Sequence, residues 1–87
     1  MSESSELVRL PGLVALHARP AGAFVRTASS FAATIEVRAN GKQANGKSIL
    51  EILGLGADGG AELTISASGD DAAAAVAQLA QLVATFS

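Results

Sequence analysis

The chain of 87 residues has no cysteine, no tryptophan and no tyrosine, only one histidine, one methionine and two prolines. Without cysteine there is no disulfide framework and no thiolate metal site. One histidine cannot complete a tetrahedral metal centre on its own. With three phenylalanines as its entire aromatic content, the chain has little with which to stack nucleic-acid bases or sugar rings. It also has no excess of positive charge: six Lys and Arg against eight Asp and Glu leave a formal net charge of −2. A nucleic-acid module is ordinarily basic, because its affinity rests on neutralised phosphates. No apolar run approaches the length of a membrane span, since charged or turn residues interrupt every stretch. Residues Met1 to Glu6 are polar and acidic, the opposite of a signal peptide. These absences point to a cytoplasmic protein without a metal site, nucleic-acid partner or membrane insertion.

What is present is apolar mass in small packages. Hydrophobic residues make up 49% of the chain, mostly Ala, Leu, Val and Ile, too many for a disordered segment. The length suits one domain over residues 1–87, expected as a monomer. Leu7-Val8-Arg9-Leu10 reads as a short first strand, ended by Pro11-Gly12. A helix is expected from Ala18, with Pro20 in its first turn, where a missing N–H costs nothing. Ala21, Phe24, Val25, Ala28 and Phe31 follow at helical spacing, and Ser29-Ser30 weakens the end. Thr34 to Ala39 alternates, with Ile35, Val37 and Ala39 facing inward. Asn40-Gly41 is a hairpin dipeptide, so Lys42 to Asn45 should return as the partner strand.

Ser48-Ile49-Leu50-Glu51 is a capping box in which Ser48 caps and Glu51 bonds back to it, opening a short helix over Ser48 to Leu53. Glycines end that helix, and Glu62 to Ala67 alternates as the last strand. Gly69-Asp70-Asp71 opens the final helix, with its acids where the helix dipole favours them. Val76, Leu79, Leu82 or Val83, and Phe86 form its apolar face. The order β-α-β-β-α-β-α predicts an α+β fold, an antiparallel sheet with helices on one face.

His17 is the residue with chemistry to offer. A lone histidine usually packs or caps. A hydrolase triad lacks support, because no G-x-S-x-G elbow occurs in the chain. The setting Leu16-His17-Ala18-Arg19-Pro20-Ala21 places His17 at the mouth of a helix. The free N–H groups of Ala18 and Arg19 form a phosphate seat there, and the helix dipole adds to it. Arg19 brings a guanidinium fork that matches phosphate oxygens. An unperturbed imidazole, with a pKa of about 6.5, is largely neutral and nucleophilic near pH 7. The phosphoramidate it forms keeps a high transfer potential, where a stable ester would trap the group.

His17-Ala18-Arg19-Pro20-Ala21 resembles the active-site signature of HPr, the histidine phosphocarrier family of the bacterial phosphoenolpyruvate-dependent sugar phosphotransferase system. Asn40-Gly41-Lys42, Lys47-Ser48-Ile49-Leu50, Leu55-Gly56 and the stretch from Gly60 to Gly69 fall in family order, so the resemblance covers nearly the whole chain. It implies an open-faced sandwich, a four-stranded antiparallel sheet covered on one face by three helices, and a carrier that needs no metal or bound cofactor rather than an enzyme. On this reading Nδ1 of His17 accepts the phosphoryl group from phospho-enzyme I and passes it to enzyme IIA domains, with Arg19 neutralising the phosphate. The competing function is a regulatory docking module of the same fold, which binds partners without transfer. The resemblance also implies that Ser48 is a regulatory phosphorylation site in lineages with an HPr kinase, in addition to its capping role. It implies a partner surface of Ile49, Leu50 and Leu53, rimmed by Arg19, Arg26 and Lys47. By spacing alone Leu53 is expected in the core, and Ile49 and Leu50 nearer the surface. The family commonly has a glycine before the Leu-His pair, where this chain has Val14-Ala15.

Overall fold

The computed structural model describes residues 2–11 and 18–86, with Ala18 described by its backbone. The elements are β1 (Glu3–Arg9), α1 (Ala18–Ser29), β2 (Thr34–Ala39), β3 (Lys42–Asn45), α2 (Ile49–Gly54), β4 (Glu62–Ser68) and α3 (Ala72–Thr85). The strands form one sheet in the order β1-β4-β2-β3, with every neighbouring pair antiparallel. Alternation sets its two faces. Ile35, Val37, Leu63, Ile65 and Ala67 point into the core, while Thr34, Arg38 and Glu62 face water. The helices complete that core: Ala21, Phe24 and Ala28 from α1, Ile52 from α2, and Ala72, Ala75, Val76, Leu79 and Val83 from α3. The expected order and the open-faced sandwich are thus observed. Of the alternatives left by spacing on the last helix, Val83 is buried and Leu82 only half-buried.

The hairpin between β2 and β3 turns on Asn40 (φ 56°) and Gly41 (φ 73°), both in the left-handed region that a two-residue turn of this hand requires. The side-chain amide of Asn40 then donates to the carbonyls of Leu55 (3.1 Å) and Gly56 (3.2 Å). The turn and the end of α2 are held together by these two bonds.

Several boundaries differ from the sequence reading, among them the end of β1, at Arg9 rather than Leu10, and the end of α2, at Gly54 rather than Leu53. β1 begins at Glu3 rather than Leu7, and its polar half pairs fully with β4, from Glu3 opposite Ser68 to Arg9 opposite Glu62. Main-chain ladder bonds do not depend on side-chain polarity, and an edge strand over an open face needs little apolar alternation. Leu7 lies on that open face, 61% exposed. β4 runs one residue further, to Ser68. The second helix starts at Ile49, because Ser48 is its extended N-cap. α3 starts at Ala72, after an N-cap at Asp71 whose side chain makes no capping bond.

Candidate functional site

α1 supplies the frame for the candidate site. Its first residue is Ala18, the next in sequence after His17. His17 itself lies outside the described residues, as do Val14 and Ala15. The first four N–H positions of any α-helix lack intrahelical partners. In α1 these include the amides of Ala18 and Arg19, while Pro20 has no N–H to offer. The first turn carries no acidic side chain, so nothing there neutralises the positive end of the dipole. Arg19 is exposed in this turn, and Arg26 is exposed in the last turn of the same helix.

α2 presents the second group of expected residues. Ser48 caps it, with Oγ accepting the Glu51 N–H at 3.3 Å. The capping box is only half made. The Glu51 carboxylate accepts the Asn45 N–H at 2.9 Å instead of that of Ser48, whose N–H donates to the Asn45 carbonyl at 3.0 Å. A tight turn out of β3 satisfies Ser48 first and leaves Asn45 as the open donor. Asn45 Oδ1 accepts the Lys47 N–H at 2.9 Å and closes the turn.

Of the apolar side chains on α2, Ile52 is fully buried, whereas Ile49 is 37%, Leu50 79% and Leu53 36% exposed. The expectation that Leu53 packs in the core is therefore not met. A helix of six residues can turn only one narrow face inward, and at 100° per residue Ile52 takes it. Ile49, Leu50 and Leu53 share the other side as one apolar surface.

Lys47 stands apart from the arginines. Its ammonium donates to the Phe31 carbonyl at 2.6 Å and is half-buried. That carbonyl follows the C-terminal end of α1, where a cation is favoured. Lys47 thus ties the start of α2 to the end of α1, and the exposed cations on α1 are Arg19 and Arg26.

Sequence reasoning missed Asp71 as a clamp. Its two carboxylate oxygens accept the N–H groups of Ala32 and Ala33, both at 2.8 Å, joining the start of α3 to the connection after α1. The bond from Ala32 leads in holding the carboxyl below its ordinary value of 3.8. Partial burial opposes this, while Ala33, the residue's own amide and the Lys47 charge add to it. The separation of 38 residues between Ala33 and Asp71 leaves no local signal for this contact. Among the described residues no three His, Cys, Asp or Glu side chains gather as a metal site, and no helix is long and apolar enough to cross a membrane.

Comparisons with known proteins agree with this fold. Residues 8–85 match the family PTS-HPr, described as the PTS HPr component phosphorylation site. The phosphocarrier protein HPr of Streptomyces coelicolor is 44% identical over 70 residues, which span 79% of this chain and 75% of that protein. The crystal structure of HPr-C-His from Thermoanaerobacter tengcongensis superposes with a TM-score of 0.86 at 39% identity, over 98% of this chain and 93% of that one. The phosphocarrier protein HPr from Bacillus anthracis gives a TM-score of 0.88 at 35% identity, over 94% and 98% of the two chains.

Proposed function

Because the chain belongs to the HPr family of phosphocarriers of the phosphotransferase system, we propose that His17 is the residue that carries the phosphoryl group and Arg19 the side chain that neutralises it. The observation that carries this reading is the start of α1 directly after His17, with free amides and an exposed arginine but no acidic side chain in the first turn. The neutral imidazole offers the Nδ1 lone pair to phosphorus. The N–P bond forms as the bond between phosphorus and phospho-enzyme I breaks, and that electron pair stays with enzyme I. The dianion then sits against the helix amides and the Arg19 fork. Attack by an enzyme IIA domain reverses the step, breaking the N–P bond and returning the lone pair to the imidazole. The chain needs no cofactor for this exchange, since the group passes between side chains, and it works in the cytoplasm with enzyme I.

The exposed surface of Ile49, Leu50 and Leu53 on α2, taken with the exposed cations of α1, suits partners with an apolar centre and acidic rim. Ser48 is the regulatory position of this reading. A phosphate there would stand at the N-cap of α2, where the helix end accepts it, and beside the docking surface, where it would repel an acidic partner.

The test is incubation with enzyme I and phosphoenolpyruvate, followed by mass spectrometry. The parent should gain one acid-labile phosphoryl group and His17→Ala none. A parent that binds enzyme I but stays unlabelled would instead be a regulatory docking module.

A further inference from the structure

β1 forms one edge of the sheet, and its hydrogen bonds show which of its backbone groups are left over. The Leu10 N–H donates to the Ala61 carbonyl at 2.9 Å, and the Ser2 carbonyl accepts the Gly69 N–H at 2.8 Å. Bonded pairs recur at every second residue of an antiparallel ladder. Ser2, Ser4, Glu6, Val8 and Leu10 therefore turn their N–H and C=O groups toward β4. Glu3, Ser5, Leu7 and Arg9 turn theirs outward, where the sheet supplies no partner. An unpaired edge of this length, seven residues, is a ready template for another strand.

The template matches a second copy of itself. Two β1 strands running antiparallel about a two-fold axis use every outward residue in one register only. Glu3 then faces the copy's Arg9, whose guanidinium already holds Glu62 at 3.0 Å, and Ser5 faces the copy's Leu7. That register centres on Glu6. The Glu6 side chain is exposed on the helix side of the strand, in a groove it shares with Val8, Ala77, Ala80, Gln81 and Ala84. Nothing facing it carries a charge: its partner in β4 is Ile65, and α3 has no charged residue. The ion pairs among the described residues, Arg9 with Glu62 and Arg38 with Glu36, leave it out. Across the axis the two Glu6 residues would stand directly opposite, with Cα atoms about 4.5 Å apart. Like charges so placed are destabilising. A slip of two residues parts them, but it breaks one of the outward pairs and both contacts between Glu3 and Arg9.

We infer that the outer edge of β1 is a pairing surface for a second copy of this chain, and that the Glu6 carboxylate is the group that keeps it unpaired. With that charge removed, two copies join β1 to β1 and their sheets become one. The charge acts here because it lies at the centre of the best register and points toward the helix layer, where alanine and glutamine offer it no counter-ion. No residue of the phosphoryl site enters this inference, which stands or falls apart from the carrier reading.

The experiment compares the parent with Glu6→Gln by sedimentation equilibrium at chain concentrations up to about 1 mM, where weak pairing is measurable. Glu6→Gln should associate to a dimer about 10-fold or more tightly than the parent, the size of a close like-charge contact at a protein surface. Amide hydrogen exchange should then show new protection at Glu3, Ser5, Leu7 and Arg9, whose N–H groups point outward in the monomer. Ser5→Pro added to Glu6→Gln removes one of those N–H groups, a change that an edge strand tolerates, and should return the chain to a monomer. Urea midpoints show whether the proline variant is folded, and the amide protection decides the matter if it is not. Glu6→Gln associating no more tightly than the parent overturns the inference. So does a dimer that leaves the four outward amides unprotected, or one that a folded proline variant still forms.

Discussion

Leu50 and Ile52 stand two residues apart in α2 and should fail in opposite ways. Leu50 is 79% exposed, so its side chain adds little to the free fold, and docking can withdraw up to about four-fifths of it from water. Complete burial of a leucine contributes about 1.5–3 kcal/mol, and Leu50→Ala removes most of the carbons responsible. We therefore expect enzyme I binding to weaken by about 1–2 kcal/mol, or about 5- to 30-fold in Kd. The melting temperature should stay within about 4 °C of the parent, as for an ordinary surface substitution. Ile52 is fully buried. Ile52→Ala should cost about 2–5 kcal/mol of stability, which at about 4–8 °C per kcal/mol in a domain of this size lowers the melting temperature by at least about 8 °C. Titration calorimetry against enzyme I and far-UV circular dichroism melts read the two effects separately. The reasoning fails if Leu50→Ala binds enzyme I as tightly as the parent, or if it melts as low as Ile52→Ala.

Three further outcomes follow from the geometry. A Cβ at Gly46 would lie 2.5 Å from Ile35 Cγ2, 3.1 Å from its Cβ and 3.3 Å from its carbonyl oxygen, so Gly46→Ala should cost about 1–3 kcal/mol in urea denaturation. Ile35→Leu has no Cγ2 and should recover part of that cost; an unchanged penalty in the double mutant would contradict the clash. The carboxyl of Asp71 is lowered chiefly by the Ala32 amide, so its contribution to stability is complete above the unfolded value and is lost as pH falls through 3.8 toward the folded one. The urea-midpoint gap between the parent and Asp71→Asn should therefore narrow between about pH 6 and pH 3, and a constant gap would refute the clamp. Ser48→Ala should destabilise by about 0.5–1 kcal/mol through loss of the N-cap, while Ser48→Asp, another good cap, should not; equal urea midpoints for all three chains would show that the cap is immaterial.

The sequence alone was enough for everything that repeats locally along the chain. The alternation of Ile35, Val37 and Ala39 sets one face of β2 whatever lies above it, because successive strand residues point to opposite sides. Asn40-Gly41 specifies its turn because few other pairs accept positive φ twice. The pattern around His17 and Arg19 placed the candidate site at the head of α1, since the free amides of a helix end are a property of any helix. Only the tertiary structure decided what joins distant segments. It paired the polar half of β1 with β4, gave the Asp71 carboxylate to Ala32 and Ala33, and seated the Lys47 ammonium on Phe31. It also chose Ile52 over Leu53 as the buried residue of α2. Each of these depends on which backbone donors, acceptors and core surfaces meet after the chain has folded back on itself, and such a meeting leaves no periodic trace in the residues that make it.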